Sequence, residues 1–333
     1  MKVTFFSAQR YDQHFFDAIN AKTFAASGFS LHYQQATLNT ESAALAHDSD
    51  AVCVFVNDQL DAEVLRQLKQ YGVRAILLRC AGYNNVDLRV ATELGMFVAR
   101  VPAYSPEAVA EHAVAMIMTL NRHTHRAYNR VREGNFALDG LLGRTMHGKT
   151  VGIVGSGHIG LATARILKGF GCRVLGHDPV QSPAFEVLGD YVALDVLLRE
   201  ADIVSLHCPL LPATRHLINT DSLLHMKPDA MLVNTSRGAL IDTAAVIDAL
   251  KARRLGALAI DVYEQESTLF FQDHSSEIIE DDVFQRLMTF PNVLVTGHQG
   301  FFTEEALTEI AVVTLENLRC HAEQQECTNT LSL

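Results

Sequence analysis

Three stretches of the chain run from an apolar segment into side chains that can do chemistry. "LVNTSRGALID" ends its apolar run at Asn234 and sets Arg237 on a glycine-flanked turn. "ALAIDVYEQES" leads into Asp261, Glu264 and Glu266. "NVLVTGHQGFF" leads through a glycine to His298. A guanidinium offers a planar fork of donors that fits a carboxylate. An imidazole can give or take a proton near neutral pH, and an acid beside it favours its charged form. Singly, these residues are ordinary. An arginine on a loop is as often a solvated charge as a ligand. The chain has 15 histidines, and any one of them is more often structural or solvated than catalytic. His14, His32, His123 and His125 read as surface residues, whereas His207 in "SLHCP" also ends an apolar run and rivals His298. The common placement shifts the balance. A cation, an acid and a histidine each stand just past an apolar run of the kind that forms a buried strand. Ligands of open parallel sheets bind at the carboxyl ends of the strands, so the three point to one place.

A second signal is the glycine spacing in "TVGIVGSGHIG". An apolar run enters Gly155, Gly157 and Gly160, and a helical pattern follows. The first glycine permits a tight turn, the second lets the backbone approach a pyrophosphate, and the third lets the helix pack on the strand. The phosphates then meet the free amides of the helix start. The next apolar run, "CRVLGHDP", ends in Asp178, close to the spacing expected of an acid that accepts from a ribose hydroxyl. That carboxylate repels a 2′-phosphate, and Pro179, Val180, Gln181 and Ser182 after it bring no cation. The reading is NAD rather than NADP.

These residues need a particular frame. The apolar runs "VTFF", "AVCVF", "AILL", "TVGIVG", "RVLGHD", "DIVSLH", "AMLVN", "ALAID" and "NVLVT" are short and nearly continuous, as strands covered on both faces are. Helical patterns at 61–71, 159–170, 243–251 and 304–319 alternate with them. The fold class expected is α/β, with parallel sheets built from right-handed βαβ units. Pro102 and Pro106 bracket a hinge, Ser105 can cap, and one long helix is expected over 106–132. A first domain over 1–103 takes back the last helix as 300–333, and the nucleotide domain spans 104–299.

Composition bounds the rest. A chain of 333 residues exceeds the ~250–300 at which single cores stop growing, which argues for two domains. Its net charge of −11 suits neither nucleic acid nor an anionic membrane. The opening apolar run breaks at Gln9 and Arg10, unlike a signal peptide, and no run reaches the roughly 18 apolar residues of a membrane span. Six cysteines without paired or zinc-like spacing suggest a cytoplasmic protein with no disulfides and no metal.

The order and spacing of "RCAGYNNVD", "VPAYSPEAVAEHA", "VGIVGSGHIG", "HCPLLPATRHLIN", "LVNTSRGALID", "DVYEQES" and "TGHQGF" resemble the D-isomer-specific 2-hydroxyacid dehydrogenases over nearly the whole chain. The stretch "LFFQDHSSEIIEDDVFQRL" before "PNVLVTGHQGFFTEEAL" is similar to the bacterial fermentative D-lactate dehydrogenases in particular. The resemblance implies two doubly wound, Rossmann-like domains with the active site in a cleft between them. It implies NAD as cofactor and pyruvate reduced to D-lactate, with the D-handedness resting on the resemblance alone. It puts the catalytic roles on Arg237, Glu266 and His298. It puts the pyrophosphate loop on Gly155, Ser156, Gly157, His158, Ile159 and Gly160, and the ribose acid on Asp178. Cys208, Pro209, Thr214, Thr235, Ser236, Arg237 and Asp261 match positions along the rest of the dinucleotide. Ala81, Gly82, Tyr104, Arg237 and Phe301 match the substrate pocket. A homodimer or homotetramer is implied, with the 106–132 helix in its interface. Two other readings keep the same frame: a dehydrogenase for a 2-keto acid with a larger side chain, and an NAD-sensing corepressor of the carboxy-terminal-binding-protein type. Turnover of a panel of 2-keto acids separates them.

Overall fold

The structure is a computed structural model that describes residues 1–332, the side chain of Thr268 apart. Leu333, which the expected first domain includes, lies outside the described residues. The chain divides into two compact units, Met1–Ser105 with Phe302–Leu333, and Pro106–Phe301. The divisions fall two residues beyond 103 and 299, because Pro106 begins a helix whose apolar side chains pack within the second unit.

The first unit holds a sheet of β1 (Lys2–Phe5), β2 (Ser30–Tyr33), β3 (Ala51–Val54), β4 (Ala75–Leu78) and β5 (Phe97–Arg100), in the order β2-β1-β3-β4-β5. Its neighbouring strands all pair in parallel. β3 and β4 are buried at every position, as their unbroken apolar runs require. The Glu304–Ala322 helix, capped by Thr303, packs against the Arg10–Thr23 helix and beside β4 and β5. Segment 329–331 then runs antiparallel to β5. At the end of β4, Arg79 is buried. It bonds Asp12 at 3.2 Å and the Ser7 carbonyl at 2.9 Å, which fixes the start of the Cys80–Gly82 turn.

The second unit holds β6 (Thr150–Val154), β7 (Arg173–His177), β8 (Asp190–Tyr191), β9 (Ile203–Leu206), β10 (Met231–Asn234), β11 (Ala257–Ile260) and β12 (Val293–Val295). Their order is β12-β11-β10-β9-β6-β7-β8, again with parallel pairings throughout. Alternate strand residues serve two cores. Val154, Leu206, Leu232 and Ile260 belong to one. Val151, Ile153, Val233 and Ala259 belong to the other, with the Pro106–Arg122 helix over them.

The strand candidates all form strands, and three more appear. β2 is a half-exposed edge strand, β8 has two residues, and β5 carries an arginine, so none of them reads as a continuous apolar run. The long 106–132 helix is corrected. It is two helices, Pro106–Arg122 and Thr124–Arg132, broken at His123 with φ +52°. The first buries eight side chains and the second none, so no core holds them on one axis. His14 and His32 are exposed. His123 and His125 are half-buried with Nδ1 shielded from solvent, against the expectation of plain surface residues. Among the described residues, no helix is long and apolar enough to cross a membrane.

Candidate active site

The strand order reverses between β6 and β9, and the glycine turn lies there. Gly155 has φ +94°, and a Cβ on it would stand 2.5 Å from the Cys208 amide nitrogen. A Cβ on Gly160 would stand 1.9 Å from the Gly155 carbonyl oxygen. These two glycines are demanded by the protein's own packing. Gly157 differs. Its φ is −64°, and a Cβ there would meet nothing within 4 Å. No contact among the described residues demands glycine at 157, whereas a closely approaching pyrophosphate would. Gly157 also opens the His158–Gly169 helix without a side-chain cap, so the first amides of that helix, from His158 and Ile159 onward, remain for a ligand. Thr235, at the end of β10, buries an Oγ1 that has no partner among the described residues. An orphaned buried hydroxyl beside a glycine cradle fits a bound dinucleotide.

Asp178 follows β7. One carboxylate oxygen accepts from the Ser156 amide at 2.7 Å and its hydroxyl at 3.1 Å, and the other accepts from Val180 N at 2.8 Å. Tyr191 on β8 completes the cluster with its hydroxyl 2.7 Å from Ser156 Oγ. Tyr191 gave no signal in the sequence, because β8 itself did not. Ser236 Oγ donates to the Cys208 carbonyl at 2.7 Å, tying the β10 end to the β9 end. Thr214 closes its own loop, donating to the Pro209 carbonyl at 2.7 Å.

The catalytic candidates follow three adjacent strands. Arg237 comes after β10, Glu266 after β11 and His298 after β12. Buried Asn234 shapes the first turn, donating to the Arg237 carbonyl at 2.9 Å. Gly238 lets that turn meet the next loop, since a Cβ there would lie 2.1 Å from Tyr263 C. The half-buried Arg237 guanidinium donates only to the neighbouring Ser236 carbonyl, at 2.7 Å, and no carboxylate of the described residues pairs with it. His298 Nδ1 donates to Glu266 Oε1 at 2.9 Å, and Glu266 Oε2 accepts from Tyr263 N at 2.9 Å. That leaves Nε2 as the ring nitrogen Glu266 does not engage. The His298 ring lies 5.7 Å from Phe271 and 6.4 Å from Phe301.

The other acids are occupied elsewhere. Glu264 pairs with Arg215 and His216 at 2.8 and 2.9 Å. Asp261 is buried, and accepts from Gln299 N at 2.9 Å, Gly300 N at 2.8 Å, His112 Nε2 at 3.2 Å and the Thr296 hydroxyl. Burial alone raises its pKa. The bonds from His112 and Thr296 outweigh that and hold it below the ordinary value. His112 escaped the sequence reading because it sits inside an apolar helical run. In the first unit the Ala81 carbonyl accepts from Arg100 at 2.7 Å and the Gly82 carbonyl from the Cys80 thiol at 3.3 Å. Tyr104 belongs to that unit, and Phe301, which is buried, ends the second.

His207 is a different kind of residue from His298. It meets Ser205 Oγ at 2.9 Å, and its Nδ1 is buried without a partner. Burial pushes its imidazole down to about 4, so the ring is neutral at neutral pH and no proton donor. The unfolded chain takes up this proton near pH 6.5 and the folded protein only near pH 4. Its stability contribution is therefore full above 6.5 and is lost as pH falls towards 4. His207→Gln should flatten the decline of Tm over that window; an unchanged slope contradicts the burial. The glycines give a paired test. Gly157→Ala should melt normally yet raise the NADH Kd about ten-fold, a cost of ~1.4 kcal/mol. Gly160→Ala should lose roughly 1–3 kcal/mol of stability. A normal NADH Kd in Gly157→Ala removes the assigned reason for that glycine.

Residues 114–300 match the NAD-binding domain of the D-isomer-specific 2-hydroxyacid dehydrogenases. The chain is 61% identical to 2-hydroxyacid dehydrogenase A of Aspergillus oryzae, over 99% of this chain and 95% of that one. Its fold superposes on the apo structure of Escherichia coli D-lactate dehydrogenase with a TM-score of 0.90, at 50% identity, covering 99% and 100% of the two chains. D-lactate dehydrogenase of Lactobacillus jensenii, solved with NAD+, matches with a TM-score of 0.82 at 33% identity, both chains covered fully. With a glycine turn at the strand-order reversal, an acid at the end of the next strand and these relatives, the chain belongs to the D-isomer-specific 2-hydroxyacid dehydrogenases and is an NAD-dependent oxidoreductase.

Proposed function

We propose that the protein reduces pyruvate to D-lactate, with Arg237, Glu266 and His298 as the catalytic set. The observation that carries the reading is an unpaired guanidinium beside a bonded His–Glu couple, on three adjacent strand ends. NADH, held by the glycine turn and Asp178, would supply a hydride to the ketone carbon. Arg237 takes the substrate carboxylate in a two-point pair and polarises the neighbouring carbonyl. His298 gives its Nε2 proton to the developing alkoxide while Glu266 holds the other nitrogen and so the ring's orientation. In the reverse direction neutral His298 takes the hydroxyl proton. Ser156, Cys208, Pro209, Thr214, Thr235, Ser236 and Asp261 line the rest of the dinucleotide. The backbone of Ala81 and Gly82, with Tyr104 and Phe301, receives the remainder of the substrate. E. coli D-lactate dehydrogenase, at 52% identity over 99% of this chain, supports pyruvate as the substrate.

The working form proposed is a homodimer. Tyr128, Val131, Phe136, Leu138 and Leu142 are all exposed, Leu142 at 92%, in one run of chain about the Thr124–Arg132 helix. A second copy of the chain covers such an apolar arm. Six cysteines without paired spacing suit the reducing cytoplasm.

Kinetics test the assignment. Arg237→Lys keeps the charge and loses the fork. It should raise KM for pyruvate at least about ten-fold and lower kcat, with NADH affinity unchanged. His298→Gln should lower kcat by roughly 10²–10⁴, Glu266→Gln by less, and His207→Gln hardly at all. Pyruvate reduction should fail at high pH and lactate oxidation at low pH, since they need opposite forms of one ring. Near-normal turnover in His298→Gln sinks the roles, and faster turnover of phenylpyruvate than of pyruvate moves the substrate to the larger keto acids. Light scattering should give twice the chain mass, and Phe136→Asp with Leu138→Asp should return it to one. A wild-type protein that stays at one chain mass refutes the dimer.

A further inference from the structure

Four of the six cysteines are buried, and two, Cys320 and Cys327, are half-buried. The chain brings those two together. The Glu304–Ala322 helix ends in a Schellman turn, with Gln325 N donating to the Cys320 carbonyl at 2.8 Å and Gln324 N to that of His321 at 3.3 Å. Gln324 takes φ +55° to make it. The chain reverses, and Cys327 returns over the last helical turns. Its thiol donates to Asn317 Oδ1 at 3.3 Å, and Asn317 stands one helical turn before Cys320, so Cys327 returns to the helix face that carries Cys320.

Asn317 links this pair to the rest of the first unit. It is buried, accepts from Asn329 Nδ2 at 2.9 Å and donates to the Arg100 carbonyl at 2.9 Å. Arg100 N donates to the Asn329 carbonyl at 3.2 Å, and Leu331 N to that of Val98 at 2.8 Å, which holds segment 329–331 along β5. The Arg100 guanidinium lies over the Tyr83 ring and donates to the Ala81 carbonyl at 2.7 Å.

We propose that Cys320 and Cys327 form a reversible disulfide that resets the grip of segment 329–331 on β5 and, through Arg100, the affinity of the Ala81–Gly82 turn for the keto acid. The last step rests on the reading that this turn receives the substrate. The oxidant is a small disulfide such as oxidised glutathione. One cysteine thiolate attacks a glutathione sulfur, the glutathione S–S bond breaks, and one glutathione thiolate leaves with the electron pair. The second cysteine thiolate then attacks the protein sulfur of the mixed disulfide and expels the second glutathione thiolate. Two protein thiols are oxidised and one disulfide is reduced to two thiols, which take up the two protons. The new bond removes the S–H donor from Asn317 and cross-links the loop 320–327. Intracellular disulfides that persist in regulation are of this reversible, accessible kind.

The test uses the full chain, reduced with dithiothreitol or equilibrated with oxidised glutathione. Thiol counting should show six thiols falling to four, and peptide mapping should join Cys320 to Cys327. KM for pyruvate should rise about five-fold, the low end of usual coupling between sites, and return on reduction, with KM for NADH unchanged. Cys327→Ser keeps a hydroxyl donor for Asn317, so it should match the reduced protein and ignore oxidised glutathione. Two thiols that persist, or that carry glutathione without joining, overturn the switch. Thiol counting needs no substrate, so the two readings separate. A protein that forms the disulfide and turns over pyruvate with unchanged KM refutes the coupling. One that forms it and never turns over pyruvate refutes the substrate reading instead.

Discussion

Asp261 carries the site. A carboxylate buried at the end of β11 costs several kcal/mol unless its lone pairs are used. Here four donors converge on it: the Gln299 and Gly300 amides, the His112 ring and the Thr296 hydroxyl. Two of them lie immediately after His298 and one two residues before it. His298 N donates to the Asp261 carbonyl at 2.7 Å as well. The acid therefore grips the chain on both sides of the catalytic candidate. That grip is needed, because His298 stands at φ +53°, where a side chain other than glycine carries strain on the order of 1–3 kcal/mol. His112 reaches Asp261 from the Pro106–Arg122 helix, so the packing of that helix on the sheet also sets the imidazole.

Around this brace the chemistry follows from strand order. Neighbouring parallel strands lie about 4.8 Å apart, so residues just past β10, β11 and β12 fall within reach of one small molecule. The close approach of Gly238 to Tyr263 joins the Arg237 turn to the loop that carries Glu266, and Glu266 closes back on the Tyr263 amide. Two places over, the reversal between β9 and β6 leaves the glycine turn against Cys208, with Ser236 tying β10 to it. The glycine turn and the loops that carry Arg237, Glu266 and His298 lie along the carboxyl edge of a single sheet.

Much of this frame could be read from residue order. The buried strands announce themselves as unbroken apolar runs, since both faces are covered. β2 and β8 do not, because an edge strand half in solvent has no reason to be apolar. The end of a strand followed by a charged or titratable residue marked Arg237 and His298. Choosing among Asp261, Glu264 and Glu266 was beyond spacing: all three follow β11, and only the three-dimensional partners, His112, Arg215 with His216, and His298, separate their uses. The break at His123 was hidden for a related reason. Helical spacing persists through 106–132, but burial, which decides whether two turns share an axis, stops at Leu120.

In the proposed roles of Asp178 and Arg237, the two selectivities would rest on opposite electrostatic arrangements. Asp178 has its two oxygens held by Ser156 and Val180, so in the proposed role it would not swing aside for a 2′-phosphate. Pro179–Ser182 offers no cation to neutralise one. A rigid carboxylate that accepts from a hydroxyl but repels a phosphate discriminates where a mobile one would not. Arg237 works the other way. In a chain of net charge −11 an anionic substrate gains nothing from the general field. In the proposed role it would gain from a half-buried guanidinium whose hydrogen bond goes to a neutral carbonyl and whose charge no acid among the described residues has cancelled. An ion pair already formed at Arg237 would have to be broken before substrate could bind. Leaving the charge unpaired keeps that energy for the substrate carboxylate, and the cost of doing so is borne by the Asn234 and Gly238 contacts that hold the turn in place.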